Sequence, residues 1–353
     1  MNKFVFSAII FPTEDDMSAA SSDNDTTEGR TFVPQYDLCT CRPYGSCQAD
    51  NLWSIVDIRI VTPPLGSECE PGLVQCCYTG SDCGISTILP VDDPPPRSGQ
   101  SEFGEFPWQI LLIALPANEY VGSGALISPI HVLTVAHRVT PFLNSLSTAT
   151  SATSLAVRAG DWDVRSDRES HAAQQQLVAR IQVRPGYESA TLRNDIAIVT
   201  LARPFILGPH LQPVCLPGPS SCFDNSLCWV SGWGKDAFGP AGNYQAIQKK
   251  VDVTVLDAEE CDRRLRTTRL GPAFSLDRTT FMCAGGVDSK DACSGDGGSP
   301  LVCRGVDGRW TLAGLVAWGI GCAQEGVPGV YVNVANSLSW IQSNLHPPPF
   351  NRR

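Results

Sequence analysis

The sequence predicts an all-β protein in which a large domain follows a small disulfide-rich module. Short apolar runs recur between Gly, Pro and Asn over residues 105–346, which is the pattern of strands joined by turns. Six of the 15 Cys fall within residues 38–78, a segment too short for a large core, so disulfides are expected to hold it together. Residues 79–104 contain three consecutive prolines and are expected to form a stiff linker.

The N-terminal segment has the features of an exported protein. Phe4–Phe11 is a short apolar run after Lys3, so residues 1–20 are interpreted as a possible signal peptide. Residues 21–37 are polar and acidic and are expected to be disordered, with a glycosylation sequon at Asn24. The high cysteine count also favours a secreted protein. The formal net charge of −10 argues against nucleic-acid binding, and no apolar run reaches the ~20 residues that span a bilayer.

The apolar runs of the large domain are the expected strands. One helix is expected near the domain's end, where Leu338, Ile341 and Leu345 share a face. Residues 347–353 are interpreted as a tail. The expected strands are Ile110–Leu115, Gly124–Ile127, Val132–Val135, Ile196–Leu201, Val251–Val255, Pro300–Val302, Thr311–Val316 and Gly329–Val334.

Three segments carry the chemistry that identifies the large domain. Leu133–His137 reads LTVAH, Arg193–Ala197 reads RNDIA, and Asp291–Pro300 reads DACSGDGGSP. In this order they resemble the His, Asp and Ser segments of the trypsin-like serine proteases. The resemblance implies two packed antiparallel β-barrels with a cleft between them, and it places His137 and Asp195 at the base and its orienting acid.

The third segment departs from the family at the nucleophile. The family reads Gly-Asp-Ser-Gly-Gly-Pro, whereas this chain has Gly297 at the serine position. Glycine has no oxygen to attack a carbonyl, so His137 has no proton to remove. Ser299 lies two residues further on, up to about 7 Å along an extended chain, and Ser294 is displaced in the same way. We therefore expect a pseudo-protease.

Two further departures accompany the first. Family zymogens are cut at Arg-Ile-Val-Gly-Gly, and the new Ile amine pairs with the Asp beside the nucleophile; here Pro95-Pro96-Arg97-Ser98 stands in that stretch, so Asp296 is expected to accept local hydrogen bonds instead. The usual disulfide beside the catalytic His is lost as a pair, because its positions hold Gly122 and Arg138.

A remnant of the substrate pocket is also implied by the resemblance. Asp291 occupies the position that recognises Arg or Lys, so a basic side chain is expected to dock there without being cut. The other positions of the pocket remnant are Trp318, Gly319 and Gly329.

The cysteine-rich module resembles the clip domain of arthropod cascade proteases. Its spacing is Cys-x-Cys-x5-Cys, then Cys, then Cys-Cys, and the whole chain resembles the non-catalytic clip-domain serine protease homologues. The two resemblances leave Cys222 unpaired. They imply the disulfides Cys39–Cys76, Cys41–Cys69, Cys47–Cys77, Cys83–Cys215, Cys228–Cys303, Cys261–Cys283 and Cys293–Cys322.

The resemblance implies a secreted regulator of an innate-immune cascade that leads to prophenoloxidase activation and melanisation. Its expected partners are an upstream clip-domain protease, prophenoloxidase or the enzyme that activates it, and further copies of the chain after cleavage. Candidate cleavage sites are Arg30, Arg59 and Arg97; the family favours Arg59 because the pieces would stay joined by disulfides. The alternatives are an active trypsin-like zymogen and a protein that binds microbial surfaces or another partner.

No cofactor is expected, with one minor exception. Asp161, Asp163, Asp167 and Glu169 cluster in one loop and could offer oxygen ligands to calcium, although a solvated acidic turn explains them as well. The five His are scattered without the spacing of a zinc site.

Overall fold

A computed structural model of the 353-residue chain divides into two compact units, residues 12–82 and residues 83–353. The structure describes residues 39–43, 53–55 and 73–78 of the first unit by their backbone alone. In the second unit it describes residues 83–89, 96–146, 154–166, 169–235, 243–287, 296–321 and 324–345.

The first unit contributes a three-stranded antiparallel sheet. Its strands are β1 (Cys39–Pro43), β2 (Trp53–Ile55) and β3 (Leu73–Tyr78), with β3 in the centre. The register places Cys39 opposite Cys77. The three disulfides expected in this module depend on side chains outside the described residues.

The second unit begins with a closed antiparallel barrel in the order β4-β5-β6-β9-β8-β7. Alternate residues of each strand point into the barrel. Many of these residues are apolar, and side chains such as Ile110, Leu126 and Ile198 are fully buried. The strands are β4 (Gln109–Ala114), β5 (Glu119–Ser128), β6 (His131–Thr134), β7 (Leu155–Ala159), β8 (Gln174–Val183) and β9 (Ala197–Leu201). A short helix, α1 (Ala136–Val139), and a 3-10 helix (Thr140–Leu146) follow β6.

A second closed antiparallel barrel has the order β10-β11-β12-β15-β14-β13. Val230, Val253, Leu301 and Tyr331 pack in its core. Its strands are β10 (Leu227–Gly232), β11 (Lys249–Leu256), β12 (Phe281–Ala284), β13 (Pro300–Arg304), β14 (Trp310–Trp318) and β15 (Gly329–Asn333). The helices are α2 (Ala258–Arg266), a 3-10 helix (Ala335–Ser337) and α3 (Leu338–Leu345). The all-β class and the two-barrel architecture are therefore confirmed.

The boundary between linker and large domain differs from the expected position at residue 105. The compact unit starts at Cys83, and the Gly84 N–H donates to Pro213 O while Gly84 O accepts from the Trp310 N–H. Ser101 and Phe103 are buried, and the Ser101 N–H donates to Gln248 O. Apolar burial and backbone hydrogen bonds thus bind much of residues 83–104 to the barrels, which a proline count does not reveal.

Three disulfides of the second unit lie within the described residues. Cys83–Cys215 joins the start of the unit to the segment after β9, Cys228–Cys303 joins β10 to β13, and Cys261–Cys283 joins α2 to β12. Cys222 is exposed and free. Both cysteines of the expected Cys293–Cys322 pair lie outside the described residues. No helix of the described part of the chain has the length and hydrophobicity needed to cross a membrane.

Candidate functional site

His137 and Asp195 form a tight pair on the first barrel. His137 lies on α1 directly after β6, and Asp195 precedes β9 after a turn in which Leu192 and Asn194 adopt positive φ. One carboxylate oxygen of Asp195 accepts from the His137 backbone N–H at 2.8 Å, and the other lies 2.7 Å from His137 Nδ1. Asp195 is fully buried, whereas the His137 side chain is 24% exposed. The imidazole is thus held in one orientation with part of its surface exposed.

Gly297 lies where the second barrel meets the first, in the turn before β13. Its carbonyl accepts from the Ser123 N–H of β5 at 3.0 Å. A Cβ added at Gly297 would lie 2.7 Å from Nε, 3.0 Å from Nη2 and 3.2 Å from Cζ of Arg138. The guanidinium of Arg138 therefore fills the space that a side chain at position 297 would need.

Gly122 allows Arg138 to reach this place. A Cβ at Gly122 would lie 2.9 Å from Gly297 O and 3.2 Å from the Arg138 Cγ. The side chain of Arg138 thus passes over one glycine and ends at the other. The sequence predicted that Gly122 and Arg138 stand where the resembled family has a disulfide, but it did not predict that the arginine reaches Gly297. The available signal was that residues 122, 138 and 297 all depart from the family pattern.

Gly298 holds the turn in place. It has φ +90°, its N–H donates to Val316 O at 2.9 Å, and a Cβ there would lie 2.1 Å from Ser123 O. Only glycine tolerates both this backbone conformation and this approach to a neighbouring strand. The turn that carries Gly297 is therefore fixed against the first barrel.

Asp296 accepts a local hydrogen bond, as the sequence led us to expect. Its Oδ1 accepts from the Gly234 N–H at 2.9 Å, and Cβ atoms at Gly232 or Gly234 would lie 2.4–2.6 Å from its carboxylate. Burial raises the pKa of Tyr120 and of Tyr244; the charge of Asp296 raises both further, whereas the charge of Arg138 lowers them. Asp296 and Arg138 therefore both act electrostatically on this pair of tyrosines.

Ser299 faces the interior and not the His137 imidazole. It is fully buried, and its Oγ accepts from Gln109 Nε2 at 3.4 Å. The Gln109 Oε1 in turn accepts from Ser231 Oγ at 2.9 Å. This hydroxyl belongs to a polar contact between the two barrels. Ser294 lies outside the described residues.

Of the residues expected to remain from a substrate pocket, Trp318, Gly319 and Gly329 lie within the described residues. Trp318 makes edge-to-face contacts with Phe274 and Phe281, at centroid distances of 6.5 and 6.1 Å. Gly319 is exposed at the end of β14, and Gly329 is buried at the start of β15. Asp291, which was expected to recognise a basic side chain, lies outside the described residues.

The remaining residues singled out from the sequence are the candidate cleavage sites and the glycosylation sequon. Arg97 is exposed in a turn closed by the Gln100 N–H, which donates to Arg97 O. Asn24, Arg30 and Arg59 lie outside the described residues. Sequence reasoning did not single out Arg184, which bridges the barrels by donating from Nη1 to Ser337 Oγ at 2.7 Å.

The acidic loop that was a calcium candidate is engaged in internal contacts. Asp161 is buried and accepts from Arg158 Nε at 2.5 Å, and burial raises the pKa of Asp161 to about 6. Glu169 accepts from the Asp163 N–H at 2.9 Å. Asp167 lies outside the described residues, and no group of three metal-ligating side chains occurs among those that the structure describes. Calcium binding stays a prediction.

Comparison with known proteins decides the family. A model of the trypsin family matches residues 98–341. The chain belongs to the trypsin family. It is 44% identical over 326 residues to "Inactive CLIP domain-containing serine protease A3" of Aedes aegypti, which covers 87% of this chain and 67% of that protein. It is 41% identical over 263 residues to "Phenoloxidase-activating factor 2" of Galleria mellonella, which covers 70% and 83%.

The relatives also support the non-catalytic type. "Inactive CLIP domain-containing serine protease A8" of Anopheles gambiae is 38% identical over 340 residues, which is 88% of this chain and 87% of that protein. The chain is therefore a clip-domain serine protease homologue, and relatives named as inactive support a pseudo-protease. The resemblance proposed from the sequence is confirmed.

Proposed function

We propose that this clip-domain homologue is a secreted, non-catalytic regulator of a proteolytic cascade that activates prophenoloxidase. The observation that carries the proposal is Arg138, whose guanidinium fills the nucleophile position at Gly297 beside an intact His137–Asp195 pair. A triad without its nucleophile cannot form an acyl-enzyme. The "Phenoloxidase-activating factor 2" name of a relative supports the choice of cascade.

An ordered fold without a nucleophile favours a binding role. Catalysis in this fold depends on Oγ of a serine, and loss of a triad serine lowers kcat by about 10⁶-fold in subtilisin. The turn at Gly298 and the His137–Asp195 pair nevertheless keep a well-defined surface. Such a surface can position a partner protease or its substrate without cutting it.

A reconstituted cascade tests this function. Prophenoloxidase and its activating protease would be incubated with the homologue, cleaved and uncleaved, and phenoloxidase activity measured. We expect the cleaved form to change the yield of active phenoloxidase while the homologue alone hydrolyses no arginine substrate. No change in yield with either form would contradict the regulatory role.

A serine-directed fluorophosphonate probe separates this proposal from the alternative of an active zymogen. Trypsin-like enzymes are labelled at the nucleophile, and this chain has Gly297 there. We expect no labelling before or after cleavage. Labelling together with turnover of an arginine substrate would establish the alternative.

Cleavage within the N-terminal module is part of the proposal. An upstream clip-domain protease would cut after Arg59, between Cys47 and Cys69, and leave the pieces joined by disulfides before the chains assemble. N-terminal sequencing after incubation with such a protease is expected to give a new terminus at Ile60. The variant Arg59→Gln should lose this terminus, and a different terminus would contradict the site.

A further inference from the structure

Arg138 carries a positive charge in the cleft without a matching anion. It is half-buried, and its Nε is buried without a hydrogen-bond partner. The carboxylates near the cleft have other donors: Asp195 accepts from His137 through both oxygens, and Asp296 accepts from the Gly234 N–H. Among the described residues Arg138 forms no ion pair. A partly buried guanidinium gains most from a planar, charged acceptor.

The mechanism of the serine proteases indicates which part of a bound peptide would lie beside this guanidinium. In a serine protease the nucleophile oxygen attacks the carbonyl carbon of a peptide, so the backbone of the bound peptide passes next to the nucleophile. At Gly297 the space of a side chain is filled by the guanidinium of Arg138, whose Nε and Nη2 lie 2.7 and 3.0 Å from the position that a Cβ would take. Because Nε is buried against this turn, the terminal nitrogens Nη1 and Nη2 are the donors that can bind a carboxylate through two parallel hydrogen bonds.

We infer that the cleft binds the terminal carboxylate of a peptide, held by Arg138 where a protease would hold the scissile carbonyl. A chain terminus is favoured over an acidic side chain because the group next to a nucleophile is the peptide backbone itself. The ligand class is therefore the new C-terminus that proteolysis leaves on a protein. The inference rests on the proposed function, since it treats Gly297 as part of a binding site and not of a damaged catalytic one.

Three peptides test the inference with the full-length protein. The first is a fluorescein-labelled hexapeptide ending in arginine with a free carboxylate, the second is the same peptide as a C-terminal amide, and the third is an amide with one internal glutamate. Fluorescence anisotropy is expected to give the free carboxylate at least about tenfold tighter binding than either amide. Equal binding of acid and amide, no binding at all, or preference for the internal glutamate would overturn the inference.

Variants link the selectivity to Arg138. The Arg138→Gln variant keeps a polar side chain but removes the guanidinium and its charge, so the preference for the free carboxylate should disappear. Arg203→Gln is the matched control, because Arg203 is exposed on the loop after β9. If Arg138→Gln fails to fold by circular dichroism, Gly297→Ala provides a second route, since its Cβ displaces the guanidinium. Selectivity that survives displacement of the arginine would overturn the inference.

The same samples distinguish this inference from the proposed function. A homologue that changes the yield of active phenoloxidase but does not prefer the free carboxylate disproves the terminal-carboxylate site alone. A homologue that prefers the free carboxylate but leaves phenoloxidase activation unchanged disproves the cascade role alone.

Discussion

Gly122, Arg138 and Gly297 depend on one another at the scale of single residues. The arginine side chain crosses the first glycine and ends against the second, so a side chain on either glycine would meet it within 3.2 Å. Return of a serine alone would place its Cβ against the guanidinium. Each of the three positions therefore restricts what the other two can be.

Gly297→Ala is expected to destabilise the fold by about 1–3 kcal/mol because its Cβ overlaps Arg138. The double variant Gly297→Ala with Arg138→Ala should recover part of this loss, because the overlap is removed. Urea unfolding of the four members of the cycle measures the coupling. Gly319→Ala is the control: its Cβ meets only Gly321 O at 3.5 Å. Additive losses in the double variant would show that Arg138 is not the cause.

His131 makes the free energy of unfolding depend on pH. Burial lowers its pKa to about 4, and its Nδ1 lies 2.9 Å from Ser128 Oγ. Between about pH 6.5 and pH 4 the unfolded chain binds a proton at this residue that the folded chain does not, so the free energy of unfolding falls as the pH falls. His131→Asn should therefore lose less stability than the wild type from pH 7 to pH 4.5, by roughly 1–3 kcal/mol in urea unfolding. Parallel curves for the two proteins would contradict this.

The site was predictable from the sequence as far as residue types determine it. The segments around His137 and Asp195 predicted the pair that the structure contains. The contact of Arg138 with Gly297 was not predictable, because it depends on how closely the backbones of residues 122, 138 and 297 approach one another in the folded chain. Only the combination of these three residues pointed to it, and none of them did so alone.

At the scale of secondary structure, apolar runs predicted eight of the twelve barrel strands. β4, β5, β6, β9, β11 and β13 to β15 fall on expected runs, whereas β7, β8, β10 and β12 do not. β8 was not predicted, because Gln174–Gln176 begins it and most of its residues are at least partly exposed. α2 was not predicted either: its sequence, AEECDRRLR, is too charged to show an apolar face. Its boundary is set by a cap and by ion pairs, which a search for apolar periodicity does not detect.

Asp257 is the N-cap of α2. Its Oδ1 accepts from the N–H groups of Glu259 and Glu260 at 3.0 and 2.9 Å. Asp257→Ala is therefore expected to lower the free energy of unfolding by about 1 kcal/mol, whereas Asp257→Asn should stay close to wild type because asparagine caps helices as well. Thermal unfolding of the two variants makes the comparison. A loss of similar size in both would assign the effect to charge and not to capping.

At the scale of the whole molecule, the positions of disulfides and cleavage sites along the chain determine which fragments stay linked after cleavage. Cys83 marks the start of the barrel unit and lies between the cysteine-rich module and Arg97, whereas its partner Cys215 lies on the C-terminal side of Arg97. A cut after Arg97 therefore falls inside the ring closed by this disulfide. The N-terminal piece keeps a covalent connection to the barrels although the chain is broken.

Limited trypsin digestion tests this connection. Arg97 is exposed in its turn, so a fragment that begins at Ser98 is expected, and Arg97→Gln should abolish it. Without reductant the piece ending at Arg97 should migrate with the barrel piece on a denaturing gel, and reductant should separate them, because Cys83–Cys215 is the bond that spans the cut. In the double variant Cys83→Ser with Cys215→Ser the pieces should separate without reductant. Separation of the wild-type pieces without reductant would show that this bond does not connect them in solution.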